Sequence, residues 1–235
     1  MTSTSFIALR KVTKRYKLGG TMIEVLYEKD LTIEQGEFVA LMGPSGSGKT
    51  TLLNIIGGLD TVERGSVSVA GGELHTFSNR QLSQWRARHV GLVFQFYHLL
   101  QVMSVERNVM LPLLLTGMPS PQCRKRVRDV LEVLGMADYL HRRPEELSGG
   151  QQQRIAIARA LVTDPALIVC DEPTGDLDRE NADLVLELLA WLNREQGKTI
   201  VMATHDPEAA RHTTRVIPVG KARTREASEG RRSVA

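Results

Sequence analysis

The sequence contains no long hydrophobic run. None of its apolar stretches approaches the ~20 residues that a membrane-spanning helix requires. The opening residues MTSTSFIALRKVTKRYK also lack the apolar block of a secretory signal peptide. With 235 residues, 42% of them hydrophobic, the chain can bury a full core as one domain or as one domain with a subdomain. We therefore expect a soluble, cytoplasmic protein.

Cysteine is scarce, with only Cys123 and Cys170 in the whole chain. The two stand far apart, neither has metal-ligand spacing around it, and Cys170 lies within an apolar run. This pattern argues against a cysteine-bound metal and predicts buried or bystander thiols.

Net charge is absent outside the C-terminal segment. The isoelectric point is about 9.0, but the five basic and two acidic residues after Gly220 account for the whole formal charge of +3. The rest of the chain is neutral overall, which weakens nucleic-acid binding as a function. We expect residues 220–235 to form a disordered basic tail, with contact to an anionic membrane as the alternative role.

The chain shows no internal repeat or interdomain linker, and its patterns change twice. About the first 70 residues partly alternate apolar and polar residues, which predicts β-strands. Helical spacing dominates from Arg80 to about Asp164, where CRKRVRDVLEVLGM has one apolar face. The segment NVMLPLLLTGMP is short and contains Pro112, so we expect a buried or partner-facing helix. The last third alternates strands with a helix from about residue 181 to 194.

Four short segments, EFVALM, VGLVF, ALIVC and TIVMAT, are almost wholly apolar. This is typical of strands in a parallel sheet that is covered on both faces. The four segments are followed by Gly43 with its glycine loop, by Gln95, by Asp171 with Glu172, and by His205. Because ligands of open α/β sheets bind outside the carboxyl ends of the strands, these endings predict one site.

The stretch LMGPSGSGKTTLL predicts a phosphate-binding loop. Its glycines let successive backbone N–H groups point into one concavity, and the helix that begins near Lys49 adds the positive end of its dipole. Lys49 is predicted to reach the β- and γ-phosphates of ATP, and Thr50 to offer its hydroxyl to Mg²⁺. A plain turn is the alternative. The predicted ATP contacts of this loop are Gly43, Pro44, Ser45, Gly46, Ser47, Gly48, Lys49, Thr50 and Thr51.

The other strand endings predict metal binding and catalysis. Asp171 directly follows five apolar residues at the end of a predicted strand. A carboxylate in such a place needs a cation or hydrogen-bond partners, and Mg²⁺ meets that need. Glu172 is placed to orient or deprotonate the water that attacks the γ-phosphate; the alternative is a pair that caps the turn at Pro173. His205 is predicted to contact the γ-phosphate, and Gln95 to sense Mg²⁺ and the attacking water. Taken singly, His205 and Gln95 are also explained as structural residues.

A second anion-binding helix start is predicted at ELSGGQQQRIAIARAL. Ser148 can cap a helix whose first turn includes Gly149 and Gly150, with Gln151 near, so that free N–H groups face a negative charge. An ordinary capped helix would also explain Ser148. It would not explain the glycine pair, which weakens a helix start.

Taken in order, GPSGSGKT, LSGGQ, ALIVCDEP and THD resemble the Walker A, signature, Walker B and switch-histidine motifs of ATP-binding-cassette (ABC) ATPases. The resemblance covers about residues 5–217. It implies one nucleotide-binding domain at residues 1–219 with an α/β fold: a P-loop NTPase core with a mostly parallel sheet, an N-terminal antiparallel β subdomain, and a helical subdomain at about residues 96–164. It also implies a head-to-tail dimer in which each ATP lies between Walker A of one domain and the signature of the other.

Three further features are interpreted through this resemblance. Tyr16, 27 positions before Gly43, matches the aromatic residue that stacks on adenine, although an edge-strand tyrosine is the alternative. The loop after Walker B reads GDLD, where many relatives have a small or amide residue at the second place, so Asp176 adds negative charge near the predicted dimer seam. VIPVGKAR lacks the Asp-Gly turn that often closes the last hairpin, which leaves the final strand pair open.

The segment VGLVFQFYHLLQVMSVERNVMLPLLLTG resembles the subfamily of lipoprotein-releasing, macrolide-efflux and cell-division ATPases. These ATPases work with membrane permeases that have large extracytoplasmic parts. The resemblance implies a subunit at the cytoplasmic face of the membrane that hydrolyses ATP with Mg²⁺ and powers such a permease, without nucleic acid. It places the permease contact at Phe96, Tyr97, Leu99 and Leu100, with helical-subdomain core as the alternative. Two other classes are a soluble ABC-type ATPase of translation or DNA repair and a non-cassette P-loop kinase; the single cassette and LSGGQ argue against them.

Overall fold

The computed structural model describes residues 5–19, 21–220 and 223–224. In chain order, the strands of this part are β1 Ile7–Leu18, β2 Thr21–Ile33, β3 Phe38–Met42, β4 Arg64–Val69, β5 Gly72–Glu73, β6 Val90–Phe94, β7 Leu167–Asp171, β8 Thr199–Thr204, β9 Arg215–Pro218 and β10 Arg223–Thr224. The α-helices are α1 Lys49–Ile56, α2 Asn79–His89, α3 Val105–Met110, α4 Ser120–Val133, α5 Gly149–Leu161, α6 Arg179–Gln196 and α7 Pro207–Arg211. Short 3₁₀ turns lie at Leu74–Thr76, Leu111–Leu115, Ala137–Tyr139 and Pro144–Glu146.

The N-terminal strands form an antiparallel sheet with the order β10-β2-β1-β4-β5. β1 and β2 pair along nearly their whole length, with register shifts in the middle of the pair. Alternate side chains of β1, such as Ile7 and Leu9, are buried in a core shared with α1 and the second sheet. The predicted N-terminal antiparallel β subdomain is confirmed.

The four apolar segments, together with β9, form a parallel sheet with the order β6-β7-β8-β3-β9. Alternate residues of β7 enter two different cores: Leu167 and Val169 pack with α1 and the antiparallel sheet, whereas Ile168 and Cys170 pack with α3 to α6. Because both faces are covered, these strands are apolar at nearly every position. The predicted parallel sheet is confirmed, and its carboxyl ends share one edge.

The helices follow the predicted patterns closely. In α4 the apolar face, which includes Val127 and Leu131, is fully buried, and the chain leaves the helix at Gly135 with a φ of 64°. The segment around Pro112 is split: α3 ends at Met110 and a 3₁₀ turn follows, since proline has no N–H to continue an α-helix. In α6 the cap is Asp178, whose side chain accepts from the N–H of residue 181, so the helix begins two residues earlier than expected.

The last two strands join different sheets. β9 pairs in parallel with β3, whereas β10 pairs antiparallel with β2. The final strand pair that the sequence left open is therefore not a hairpin. Of the predicted disordered tail, residues 221–222 and 225–235 lie outside the described residues, so that disorder stays a prediction.

The predictions about membrane-spanning helices and about the two cysteines can be compared with the structure. In the described part of the chain, no helix combines the length and apolarity needed to cross a membrane. Cys123 and Cys170 are both buried as free thiols, as predicted. Burial raises the pKa of the Cys170 thiol far above its ordinary value, which keeps it protonated and unreactive.

Candidate nucleotide-binding and catalytic site

A cavity of about 660 Å³ opens at the carboxyl edge of the parallel sheet. It brings together most of the residues that the sequence predicted to act on ATP. Among the predicted residues, Gly43 and Asp171 lie just behind this lining and contact it through Lys49 and Thr50. The lining residues are Tyr16, Val25, Pro44, Ser45, Gly46, Ser47, Gly48, Lys49, Thr50, Thr51, Gln95, Glu172 and His205.

The loop between β3 and α1 leaves the start of α1 open to a ligand. Gly48, the N-cap, has a φ of 92° and no side chain to cap the helix, and the first turn has no acidic residue. The first N–H groups of an α-helix have no intrahelical acceptor, and among the described residues no side-chain cap supplies one at α1. A Cβ at Gly48 would also press on Val25, so glycine is needed for both conformation and space. The loop therefore has the features of an anion site.

Lys49 places a buried positive charge inside this loop. Its side chain is 7% exposed, and Nζ donates to the carbonyl oxygens of Gly43 at 2.8 Å and Pro44 at 3.3 Å. The same Nζ lies 3.9 Å from Glu172 Oε1. The hydroxyl of Ser47 is buried without a hydrogen-bond partner among the described residues. A buried cation beside an unpaired hydroxyl fits a polyphosphate.

Asp171 and Thr50 form a pair that suits Mg²⁺. Thr50 Oγ1 donates to Asp171 Oδ1 at 3.3 Å. Burial raises the pKa of Asp171, and the neighbouring charge of Glu172 raises it further, so the ionised carboxylate lacks a full counter-charge. In the described residues no three His, Cys, Asp or Glu side chains cluster to hold a metal. A cation here would depend on Asp171, hydroxyl and amide oxygens, and the phosphates, a donor set that Mg²⁺ accepts.

Glu172 is held in an unusual backbone conformation. Its φ is 47°, a left-handed value that costs a non-glycine residue on the order of 1–3 kcal/mol. The backbone N–H of Glu172 donates to the Ala203 carbonyl at 3.0 Å, which ties it to β8. Its Oε1 lies 3.0 Å from His205 Nδ1. The strained backbone thus places one carboxylate between Lys49 and His205, as a positioned proton acceptor requires.

Gln95 has a partner that the sequence did not predict. Its Nε2 donates to Asp176 Oδ1 at 2.9 Å. Because a carboxylate only accepts, this contact fixes which end of the amide faces Asp176 and leaves the amide oxygen for another partner. The sequence singled out Asp176 as an added charge near a dimer seam, and no spacing rule links it to Gln95.

The signature segment does not line the cavity in the described part of the chain. Ser148 caps α5 in a reciprocal box: Ser148 Oγ accepts from the backbone N–H of Gln151 at 3.3 Å, and Gln151 Oε1 accepts from the backbone N–H of Ser148 at 2.9 Å. The glycine pair also has a packing reason: a Cβ at Gly149 would meet the Tyr97 hydroxyl, and a Cβ at Gly150 would overlap the Asn181 side chain. The two predicted anion sites are therefore separate within one chain.

Comparisons with known proteins match this geometry. Residues 26–175, more than half of the chain, match the family described as ABC transporter. The chain is 44% identical over 208 residues to the lipoprotein-releasing system ATP-binding protein LolD of Alcanivorax borkumensis, covering 88% of this chain and 91% of LolD. It is 46% identical over 222 residues to the macrolide export ATP-binding/permease protein MacB 1/2 of Paracoccus denitrificans, covering 94% of this chain and 33% of MacB.

A solved structure extends the comparison to three dimensions. The dimeric post-hydrolysis structure of the ATP-binding cassette MJ0796, bound to ADP and Pi, superimposes with a TM-score of 0.83 at 39% identity, covering 93% of this chain and 98% of that one. These similarities agree with the predicted subfamily and favour a transporter subunit over an ATPase of translation or DNA repair. The chain therefore belongs to the ABC transporter family, as an ATP-binding and ATP-hydrolysing subunit.

Proposed function

We propose that two copies of this chain pack head to tail, close two ATP molecules between them, and pass the movement to an integral membrane permease. The observation that carries the proposal is the separation of the two helix starts. The start of α1 opens into a cavity with Glu172 and His205, whereas the capped start of α5 at Ser148 lies outside it. One chain therefore supplies two unlike halves of a site.

In the first half, this chain binds the phosphates and the metal. Lys49 exchanges its loop carbonyl contacts for phosphate oxygens, and the N–H groups at the start of α1 add hydrogen bonds. Thr50, Asp171 and the amide oxygen of Gln95 are the groups that would hold Mg²⁺. Bound there, Mg²⁺ would offset the charge that develops on the phosphate oxygens, and Asp171 would then have a counter-charge for its ionised carboxylate.

Glu172 is the residue proposed to accept the proton of the attacking water. Its carboxylate accepts a proton from the attacking water, while the fixed backbone and the Ala203 contact hold it at the sheet edge. His205, 3.0 Å from Glu172 Oε1, is the side chain that can steady this carboxylate and reach the γ-phosphate. Lys49 keeps a positive charge beside the same oxygen.

The second half comes from the other copy. Ser148 Oγ lies at the N-cap of α5, and the N–H groups of Gly149 and Gly150 belong to the first helical turn. These two N–H groups have no intrahelical acceptor. The γ-phosphate held by the first chain would supply one, with Gln151 beside it. The dimeric MJ0796 cassette, captured with ADP and Pi, supports this arrangement.

The permease contact is proposed at an apolar groove beside Gln95. A groove of about 600 Å³ lies between β6, α5 and the 3₁₀ turn at Leu111–Leu115. Phe96 next to it is 63% exposed, and Leu115 on its wall is 79% exposed. Arg159 donates to the carbonyl oxygens of Tyr97 at 2.7 Å and His98 at 2.6 Å, which fixes the segment after Gln95.

The four residues predicted to contact the permease divide into two groups. Phe96 and Leu100 are exposed, whereas Leu99 is buried and Tyr97 packs partly against the core. We propose that this exposed pair, together with Leu115 on the groove wall, contacts a cytoplasmic helix of the permease. The subfamily resemblance implies that this permease has a large extracytoplasmic domain. The chain would then work as a peripheral subunit at the cytoplasmic face of the membrane.

The test is coupling between this chain and the permease that co-purifies with it. Phe96→Asp and Leu115→Asp should leave ATP hydrolysis by the isolated chain within about threefold, a barrier change of ~0.7 kcal/mol, and abolish permease binding or permease-stimulated hydrolysis. Val133→Asp, at an exposed apolar residue of α4, is the matched control and should change neither. Normal stimulation in both groove variants would place the permease contact elsewhere.

A further inference from the structure

Tyr16 is held chiefly by residues outside the phosphate-binding loop, although Thr51 of that loop also interacts with its hydroxyl. Its hydroxyl donates to Asp60 Oδ2 at 2.5 Å. Lys14 Nζ donates to the other oxygen, Asp60 Oδ1, at 2.6 Å, and to the Thr61 carbonyl at 2.7 Å. Both oxygens of one carboxylate are therefore used to tie two side chains of β1 to the loop after α1.

The carboxylate at the centre of this cluster is anchored and charged. Its backbone N–H donates to the Asn54 carbonyl of α1 at 3.1 Å, and its Oδ1 accepts the N–H of Thr61 at 2.7 Å. Burial opposes ionisation of Asp60, but the hydrogen bonds from Lys14 and Tyr16 hold its pKa below the ordinary value. Burial and the contact with Asp60 raise the pKa of Tyr16, so its hydroxyl remains a donor.

The cluster also determines which side of the Tyr16 ring is free. Lys14 Nζ lies over the ring, 5.0 Å from its centroid, and its side chain is mostly buried. The opposite face of the ring is then the one available for stacking on a flat ligand group. Helix α1 begins with Lys49 at the phosphate end and is followed by the loop that contains Asp60, so it connects the phosphate-binding loop with the residue that holds Tyr16.

We infer that Asp60 and Lys14 are positioning residues for the nucleotide base, which fix the Tyr16 ring beside the phosphate-binding loop and so set the affinity for the base without touching the phosphates. The inference rests on the proposed function, because it takes the cavity to bind ATP. Ordering the ring before binding lowers the entropy cost of stacking.

The test compares two ligands that differ only by the nucleoside. Isothermal titration would measure MgATP and magnesium tripolyphosphate on wild type, Asp60→Ala and Tyr16→Phe. Loss of one hydrogen bond at a charged group should weaken ATP about five- to tenfold in each variant and leave tripolyphosphate within about twofold. In the double variant the loss should not add, since both changes remove the same contact.

Asp30→Ala is the matched control. Asp30 is an exposed carboxylate of the same sheet that accepts the N–H of Lys11 at 2.8 Å, away from the cavity, and its loss should affect neither ligand. Asp60→Asn, which keeps the shape, takes the place of the alanine variant if that fails to fold. Equal losses for both ligands, or an unchanged ATP affinity in folded variants, would overturn the inference. Failure of wild type to bind either ligand would instead contradict the proposed function.

Discussion

Helices α1 and α5 both begin in glycine-rich turns, yet their N-termini are capped in opposite ways. Gly48 gives α1 no side-chain cap, and the chain surrounds the open end with Lys49, Asp171 and Glu172. Ser148 gives α5 a complete capping box, and no catalytic side chain of the described residues lines its start. The N-terminus of α1 lacks a side-chain cap, so its N–H groups need a ligand, and the candidate catalytic side chains lie beside it. The N-terminus of α5 is capped by its own chain, and none of those side chains lies beside it.

This contrast separates two requirements of catalysis. In the proposed function, the α1 side determines whether the phosphates, the metal and the proton acceptor meet, and one chain supplies all of these groups. The α5 side determines whether the site closes, and we propose that a second chain supplies it. Variants on the two sides should therefore fail in different assays.

The largest effect should come from the α1 side. Glu172→Gln removes the proton acceptor and keeps the shape, so kcat should fall by ~10²-fold or more while ATP binding persists. The variant should accumulate as an ATP-bound dimer, which gel filtration with ATP would detect. Glu187→Gln, an exposed carboxylate of α6, should hydrolyse ATP like wild type. Wild-type turnover in Glu172→Gln would remove Glu172 from its assigned role.

A matched pair of cap serines sharpens the contrast on the α5 side. Ser148 caps α5 and Ser104 caps α3 in the same way, by accepting an N–H of the first turn. Each Ser→Ala change should cost about 1 kcal/mol of stability. Only Ser148→Ala should also lower hydrolysis, by about tenfold, since it loses one charge-assisted hydrogen bond. Equal activity in the two variants would make Ser148 a helix cap and nothing more.

A smaller effect is expected at the contact between Gln95 and Asp176. Asp176→Ala frees the Gln95 amide to turn, so the Mg²⁺ concentration for half-maximal hydrolysis should rise about threefold. ATP binding measured without Mg²⁺ should not change. Asp183→Ala, which removes an exposed carboxylate paired with Arg179, serves as the control. An unchanged Mg²⁺ requirement in Asp176→Ala would show that the contact has no effect on the metal.

The smallest effect concerns stability rather than rate. Burial and Glu172 raise the pKa of Asp171, so the folded wild type loses stability as pH rises from the ordinary carboxyl pKa, ~3.9, through the raised value. Asp171→Asn escapes this loss because it carries no charge. Without nucleotide its Tm should exceed that of wild type at neutral pH, and the gap should close below the ordinary pKa. A lower Tm at every pH would contradict the assigned cause.

Much of the fold could be predicted from the sequence because its signals are local. Apolar runs with a glycine loop or a carboxylate at their ends predicted the parallel sheet and the edge where the cavity lies. Contacts between residues distant in the chain could not be predicted in this way. No pattern links Gln95 with Asp176 or Tyr16 with Asp60, and each pair meets only through the packing of strands and loops.

Two other outcomes have the same origin. The glycine pair at residues 149–150 was interpreted through a ligand, yet Tyr97 and Asn181 also require it, and neither is close in sequence. The path of β10 to the antiparallel sheet depends on where β2 lies in space. In each case the outcome depends on packing between residues that are distant in the chain, which a local sequence pattern does not describe.

The central claim is that the α5 side of one chain completes the α1 side of another. The most direct test mixes differently tagged chains, one with Lys49→Ala and the other with Ser148→Arg, each inactive alone. A mixed dimer has one site in which both halves are intact and one in which both are damaged. We expect hydrolysis to return in proportion to the mixed dimers that double-tag purification recovers with ATP. No activity in verified mixed dimers would contradict the shared site.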